Sequence, residues 1–247
     1  MTALYRQDVF ANNLANLDTV GFKPDIPSIQ TRADVRSEDG LAYLPSNTLL
    51  EKLGGGTLLR PNRISLEQGS LRTTTSKLDL AIEGRGFLVV EDTSDATNPR
   101  RLTRDGRLLR SPNGELVMSG TGLPVLDSNN QRITIPAQGE LRIDGDGTMK
   151  VDNRTIAQLK FVDVPEGTQL RKAGHSMMFA PAETFSSPRK PGGNIRQSMV
   201  EESAVDELKA LMSVTSAARE VDANVDAMRA HDRLMERAIA ALGRPVA

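Results

Sequence analysis

The stretch from Ser203 to Leu242 contains neither proline nor glycine, and its apolar residues recur at regular intervals. About 40 residues without a helix breaker predict a single helix about 60 Å long. The intervals alternate between three and four residues, which is the spacing of a coiled-coil seam, and polar Asp232 occupies the one interrupted position. The predicted seam consists of Leu211, Val214, Ala218, Val221, Val225, Met228, Met235, Ile239 and Leu242.

A helix of this length favours packing against another helix. One alternative is that the seam faces a β domain of the same chain, but such a helix would overhang a compact domain of about 130 residues, whose radius of gyration is about 14 Å. The first 17 residues provide the obvious partner, because Ala3, Phe10 and Leu17 recur every seven residues and Leu14 follows Phe10 by four. Proline and glycine end this pattern after Leu17. The two chain ends are therefore predicted to form one helical module.

The middle of the chain has a different pattern. Residues 24–68 follow neither a helical nor a strand period and are rich in proline and glycine, which indicates an extended connector. Residues 69–196 alternate apolar with charged residues and contain frequent turn dipeptides, which is typical of short antiparallel strands. These dipeptides are Asp105-Gly106, Asn113-Gly114, Asn129-Asn130, Asp144-Gly145 and Asp146-Gly147.

The predicted fold class is α+β, with an antiparallel all-β domain inserted between N- and C-terminal coiled-coil-forming helices. Four segments follow: residues 1–23 as the N-terminal helix, 24–68 as the connector, 69–196 as the β domain and 197–247 as the C-terminal helix. Residues 1–20 lack the uninterrupted apolar core of a cleavable signal peptide, and no window is apolar enough to suggest a membrane-spanning helix.

Composition argues against several functional classes. The chain has no cysteine, which excludes disulfides and thiolate chemistry, and a net charge of −1 does not indicate a nucleic-acid binder. The only two histidines, His175 and His231, lie in different segments without the spacing of a metal motif. No GxSxG nucleophile motif occurs. We therefore expect no catalytic residue, cofactor, metal ion, nucleic acid or small-molecule substrate.

Three groups of residues resemble the flagellar rod and hook protein family. The first is Ala11-Asn12-Asn13-Leu14-Ala15-Asn16 with Thr19, Gly21, Phe22 and Lys23. The second is Gly69-Ser70-Leu71 with residues 78–82, Gly84, Gly86 and Phe87, followed by Thr103-Arg104-Asp105-Gly106 as the next hairpin. The third is the C-terminal helix. Chain length and the single β domain are similar to the rod proteins, and the strand Gly86-Phe87-Leu88-Val89-Val90 favours the proximal over the distal rod subunit.

The resemblance implies a structural subunit of the bacterial flagellar basal-body rod, not an enzyme. It implies export by the flagellar type III apparatus without a cleaved signal, followed by assembly in the periplasm with copies of itself and with other rod and axial proteins. It also assigns inter-subunit contacts to Asn12, Asn13, Leu14, Asn16, Gly21 and Phe22, although a simple helix stop would use the same residue types. A hook or junction subunit, or a secreted β-domain binding protein or enzyme, are the alternatives.

The chain departs from the family in two places. Ser216-Ala217-Ala218-Arg219-Glu220 stands where members commonly have Gln-Arg-x-Tyr/Phe-Glu, so the contacts of that aromatic residue are not expected here. Members also carry further helical residues before the position of Met1, which predicts that the natural chain starts upstream.

Overall fold

A computed structural model describes residues 1–33, 40, 56–95, 97–165, 167–186 and 192–242. Its helices are α1 (Thr2–Ala15), α2 (Ala182–Ser186) and α3 (Glu207–Leu242). The strands of this part of the chain are β1 (Asp25–Thr31), β2 (Thr57–Ile64), β3 (Leu71–Thr73), β4 (Leu80–Glu83), β5 (Phe87–Glu91), β6 (Arg100–Thr103), β7 (Leu108–Arg110), β8 (Leu116–Met118), β9 (Leu141–Ile143), β10 (Thr148–Val151), β11 (Arg154–Gln158), β12 (Phe161–Val162), β13 (Arg171–Gly174), β14 (Met177–Phe179), β15 (Asn194–Gln197) and β16 (Met199–Glu201). No helix among the described residues is long and apolar enough to cross a membrane.

The chain divides into two compact units. The terminal unit comprises Met1–Leu14, Ile26–Asn62 and Asp206–Ala247, and the β unit comprises Ala15–Asp25 and Arg63–Val205. These bounds differ from the predicted segments, because Ala15–Asp25 belongs to the β unit and not to the helical module. The structure is mostly β with a helix at each end, as predicted. Coiled-coil pairing of those helices stays a prediction.

The β unit is built from antiparallel pairs, as the turn dipeptides predicted. Its largest sheet has the strand order β12-β5-β6-β14-β13. In β5, Phe87 and Val89 contribute to one buried apolar cluster and Leu88 and Val90 to another. Because successive side chains of a strand point to opposite faces, this uninterrupted apolar run is buried on both sides.

Most of the predicted turn dipeptides lie in turns between paired strands. Gly114 connects β7 to β8, and Gly147 precedes β10 in its pair with β9; both adopt positive φ angles, of 85° and 89°. The prediction was wrong at Asp105-Gly106, which connects two strands of different sheets. A Cβ atom on Gly106 would lie 1.7 Å from the carbonyl oxygen of Leu80, so this glycine permits close backbone packing and not a hairpin.

The C-terminal part of the β unit extends past the predicted boundary at residue 196. β15 pairs with β4, and β16 pairs with β3 with Val200 opposite Arg72. The N–H of Ala204 then donates to the carbonyl of Phe22 at 3.1 Å. Since this stretch is engaged in the β unit, α3 begins at Glu207 and not near Ser203.

The terminal unit contains α1, α3 and most of the two-stranded sheet β1-β2. Those two strands lie in the predicted connector, of which residues 34–39 and 41–55 fall outside the described residues. Asp206 caps α3, because its Oδ1 accepts from the N–H of Lys209 at 3.0 Å, and this bond lowers the pKa of Asp206. Arg6 donates to Glu220 at 2.8 Å, which joins the two terminal helices through an exposed ion pair.

Candidate functional site

The predicted seam of α3 changes in exposure along the helix. Val214, Ala218, Val221 and Val225 are half-buried, whereas Leu211 is exposed. Beyond residue 225 every side chain of known burial is exposed. Three of them are seam residues with large apolar side chains: Met228 is 59% exposed, Met235 51% and Ile239 67%. Leu242 is the last residue of the helix. The distal half of the seam therefore has no cover within this protomer, as far as the structure describes it.

The N-terminal motif residues have several environments. On α1, Asn12 is exposed, Asn13 is buried, and Phe10 and Leu14 are half-buried. The helix ends at Ala15, so Leu17 follows the helix and does not continue its seam. After that end, Asn16 accepts a hydrogen bond from the Thr19 hydroxyl at 3.0 Å, which stabilises the turn as a helix stop requires.

Gly21 and Phe22 are buried, and both belong to the β unit. Gly21 has a φ of +66°, and its N–H donates to the carbonyl of Glu201 at 2.7 Å. A Cβ atom at this position would lie 2.4 Å from the carbonyl carbon of Arg104. The Lys172 ammonium lies 3.9 Å from the centre of the Phe22 ring and 2.9 Å from Asp25 Oδ2. The segment after α1 is thus packed closely on the β unit of its own chain.

A buried ionic cluster lies beside Gly21 and consists of Lys23, Arg104 and Glu201. The ion pair of Lys23 and Glu201 has side chains of 0% exposure, with Nζ 2.6 Å from Oε1. On the other carboxylate oxygen, Arg104 Nη1 donates to Glu201 Oε2 at 2.8 Å, and the Arg104 side chain is 3% exposed. We call these three residues the junction cluster.

Backbone groups add further hydrogen bonds to the junction cluster. The N–H of Gly69 donates to Glu201 Oε1 at 3.0 Å, and Lys23 Nζ donates to the carbonyl of Glu67. Arg104 also donates to the carbonyls of Ile82 and Gly84 at 3.2 and 2.8 Å. Its guanidinium lies 4.9 Å from the centre of the Phe87 ring. Glu201, the last residue of β16, is therefore the acceptor that connects the segment after α1, the segment before β3 and the residue after β6 through Lys23, Gly69 and Arg104.

The cluster places two positive groups around one carboxylate in a site shielded from water. Burial lowers the pKa of Lys23 below its ordinary value, although the charge of Glu201 acts in the opposite direction. Burial likewise lowers the pKa of Lys172, against the effect of Asp25. Loss of the carboxylate would leave two buried cations that repel each other.

Lys23→Met tests this charge balance. Removing one of the two cations leaves Arg104 paired with Glu201, so we expect the free energy of unfolding at pH 7 to change by no more than about 2 kcal/mol. Between the lowered pKa of folded Lys23 and its ordinary value, only the unfolded chain holds the proton, so stability conferred by Lys23 rises with pH. Chemical denaturation followed by circular dichroism should show that the free energy of unfolding of the wild type, relative to that of the variant, increases from pH 7 to 10. If this difference in the free energy of unfolding decreased with pH, the lowered pKa of Lys23 would be contradicted.

The described residues hold no cluster of three or more His, Asp or Glu side chains suited to a metal ion. An open cavity of about 290 Å³ lies on the β unit, lined in part by Asn98, Gln169, Arg171 and Phe179. Arg171 is the one ionisable residue among its seven lining residues, so this cavity does not bring an acid and a base together.

Two family models match the chain. The flagella basal body rod protein model matches residues 1–23, and the flagellar hook protein FlgE/F/G D1 domain model matches residues 81–151. The flagellar basal-body rod protein FlgG of Buchnera aphidicola subsp. Baizongia pistaciae is 30% identical, with 93% of this chain and 91% of the relative covered. The chain belongs to the flagellar basal-body rod protein family.

Other rod proteins show similar coverage. FlgF of Caulobacter vibrioides is 28% identical over 99% of this chain and 94% of its own length, and FlgG of the same organism is 27% identical over 93% and 90%. The predicted family and the predicted function as a structural subunit of the basal-body rod are confirmed. Since FlgF and FlgG match about equally, the preference for a proximal rod subunit stays a prediction.

The matched regions contain two of the three junction residues. Lys23 is the last residue of the first match and Arg104 lies within the second, and both were noticed in the sequence as parts of family-like motifs. Glu201 lies outside both matches, and sequence reasoning missed it, as it missed Lys172 and Asp25. The motif that contains Lys23 and the motif that contains Arg104 are far apart in sequence, but both contact the buried carboxylate of Glu201.

Proposed function

We propose that this rod subunit assembles by burying the distal seam of α3 against copies of itself and against other rod and axial proteins. The observation that carries the proposal is the exposure of Met228, Met235 and Ile239 along one line of a helix. Burying one such side chain contributes about 1.5–3 kcal/mol, so repetition along a tube stabilises the assembly without any single strong contact. We further propose that the terminal helices pair as coiled coils in this assembly.

The junction cluster lies in the β unit and is consistent with this function. It fixes the segment after α1 to the segment before α3 through Lys23, Glu201 and the hydrogen bond from Ala204 to Phe22. A subunit of a drive shaft transmits torque, and contacts that hold together the two segments next to its terminal helices serve that purpose. The same family context leads us to propose export without a cleaved signal and assembly in the periplasm, with a purely structural role and no enzymatic activity.

Met235→Asp tests the seam against a closely matched control. Met235 lies on the seam and is 51% exposed, whereas the adjacent Leu234 lies off the seam and is 63% exposed. We expect Met235→Asp to lose about 2 kcal/mol at each seam contact, which corresponds to a roughly 30-fold higher concentration for assembly. Leu234→Asp introduces the same charge without this loss. Both variants should unfold at the temperature of the wild type.

Two measurements on the full chain check this prediction. Sedimentation velocity over a range of concentrations reports self-association, and swimming in a strain without its own copy of the gene reports rod assembly. Equal loss in both variants would show that any new charge on α3 is harmful and that the seam is not the contact. A wild-type protein that stays monomeric at every concentration would contradict self-association itself.

A further inference from the structure

A row of charged side chains runs along α3 beside the seam. Asp222, Asp226, Arg229, Arg233 and Arg237 are separated by four, three, four and four residues, and all five are exposed. At about 100° per residue, this spacing keeps them within an arc of about 80° on the helix surface. We call this row the charge stripe. It has an acidic half towards the start of α3 and a basic half towards its end.

Several charges that are four residues apart in the stripe have the same sign. Asp222 and Asp226 are four residues apart, as are Arg229 and Arg233, and Arg233 and Arg237. Like charges at this spacing repel each other on a helix surface. Within the stripe, the ion pair between opposite charges is Arg229–Asp226 at 3.4 Å, in which both side chains are more than 70% exposed. Separation of the two signs therefore points to a partner that presents the opposite order.

Two further charged residues lie at the edges of the stripe. Arg219 borders the acidic half and Glu236 borders the basic half. With them included, the acidic half still carries a net charge of −1 and the basic half +2. The stripe thus keeps its two-sided character along its whole length.

We infer that the charge stripe sets the axial offset between neighbouring copies of this chain, which lie parallel with the acidic half of one copy against the basic half of the next. The centres of the two halves are about nine residues apart, so the offset along the helix axis is about 14 Å. The inference rests on the proposed function, in which α3 packs against other copies. Charge complementarity of this kind governs partner choice and register more than total affinity.

Parallel copies follow from the need to continue the assembly. Two antiparallel copies would also match their charges, but such a contact is the same on both sides and closes after two molecules. A parallel, offset contact uses different halves of the two copies, so it is not closed by symmetry, and other contacts of each copy can continue the assembly. We therefore assign the parallel, offset arrangement to the rod.

A charge-exchange experiment on the full chain tests the inference. One variant, Arg229→Glu with Arg233→Glu, makes both halves acidic, and the other, Asp222→Arg with Asp226→Arg, makes both halves basic. We expect each variant alone to need an about tenfold or higher concentration for half-assembly in sedimentation velocity. An equimolar mixture should assemble like the wild type, and 1 M salt should weaken the difference.

The outcomes separate this inference from the proposed function. If the wild type assembles and each variant alone assembles equally well, the stripe has no role while the seam proposal stands. If the mixture fails as each variant does, and circular dichroism shows intact helices, the stripe does not pair between copies. If the wild type does not assemble, the proposed function is contradicted.

Ala230→Cys distinguishes the two orientations, since the chain has no other cysteine. Ala230 borders the midpoint of the stripe. Antiparallel copies would bring two such residues together and form a disulfide-linked dimer on oxidation, whereas parallel copies offset by about 14 Å keep the two sulfurs too far apart. Absence of this dimer in assembled protein is the expected result, and rapid dimer formation would overturn the parallel arrangement.

Discussion

Glu201→Gln should destabilise the β unit by about 3–5 kcal/mol, because it leaves Lys23 and Arg104 buried without a carboxylate. The side-chain amide keeps the shape of the carboxylate but replaces one oxygen by an NH2 group. In either orientation that donor faces another donor: Arg104 on one side, or Lys23 with the N–H of Gly69 on the other. Since domains are stable by only about 5–15 kcal/mol, this loss lowers the melting temperature by about 10 °C.

Glu202→Gln is the matched control for this prediction. Glu202 is the next residue and also pairs with an arginine, with Oε1 2.9 Å from Arg72 Nε. Both of those side chains are about half exposed, so water screens the pair and its loss costs less than about 1 kcal/mol. Differential scanning calorimetry of both variants measures the difference. Similar melting temperatures for the two would show that the junction cluster does not hold the β unit together.

The difference between these two glutamates illustrates what the sequence could not reveal. Nothing in the local pattern Val200-Glu201-Glu202 indicates which carboxylate is buried. Glu201 is buried because its partners come from 178 and 97 residues away, and only the fold brings them together. Lys23 and Arg104 could be selected from motifs, but the ion pairs that they form could not.

The local sequence was informative where residues adjacent in sequence determine the structure. The stretch without glycine or proline predicted α3, which ends at Leu242 as expected. Its start was predicted too early, because pairing of Glu201 and Ala204 with the β unit overrides helical propensity there. Asn113-Gly114 forms the hairpin turn that its residues favour, whereas Asp105-Gly106 has the same signal and serves a contact with β4.

The connector shows the same limit. Residues of β1 and β2 follow no alternating period, and both strands have mostly exposed or half-exposed side chains. Their pairing depends on backbone hydrogen bonds, such as that from Arg32 N–H to the carbonyl of Gly56 at 2.9 Å. A pattern of apolar residues cannot report such strands, because they have no consistently buried face.

Gly21→Ala should detach the segment after α1 from the rest of the β unit. Alanine at a φ of +66° costs about 1–2 kcal/mol by itself. Its Cβ would also lie 2.4–2.6 Å from the backbone carbon and oxygen of Arg104 and the nitrogen of Asp105. Backbone atoms cannot rotate away as a side chain can, and moving residue 21 would break its 2.7 Å hydrogen bond to Glu201. We expect a total loss of about 3–5 kcal/mol.

Gly122→Ala separates the steric effect from the backbone effect. Gly122 has a similar φ of +72°, but no atom lies within 4 Å of its Cβ position, so only the conformational cost of about 1–2 kcal/mol applies. Chymotrypsin cleavage after Phe22, detected by mass spectrometry, reports detachment directly because Phe22 is buried in the wild type. At temperatures where the β unit remains folded, we expect rapid cleavage in Gly21→Ala and no rapid cleavage in Gly122→Ala. Equal protection of Phe22 in both variants would mean that the segment tolerates a side chain at residue 21. The close contact with Arg104 and Asp105 would then not be what holds the segment on the β unit.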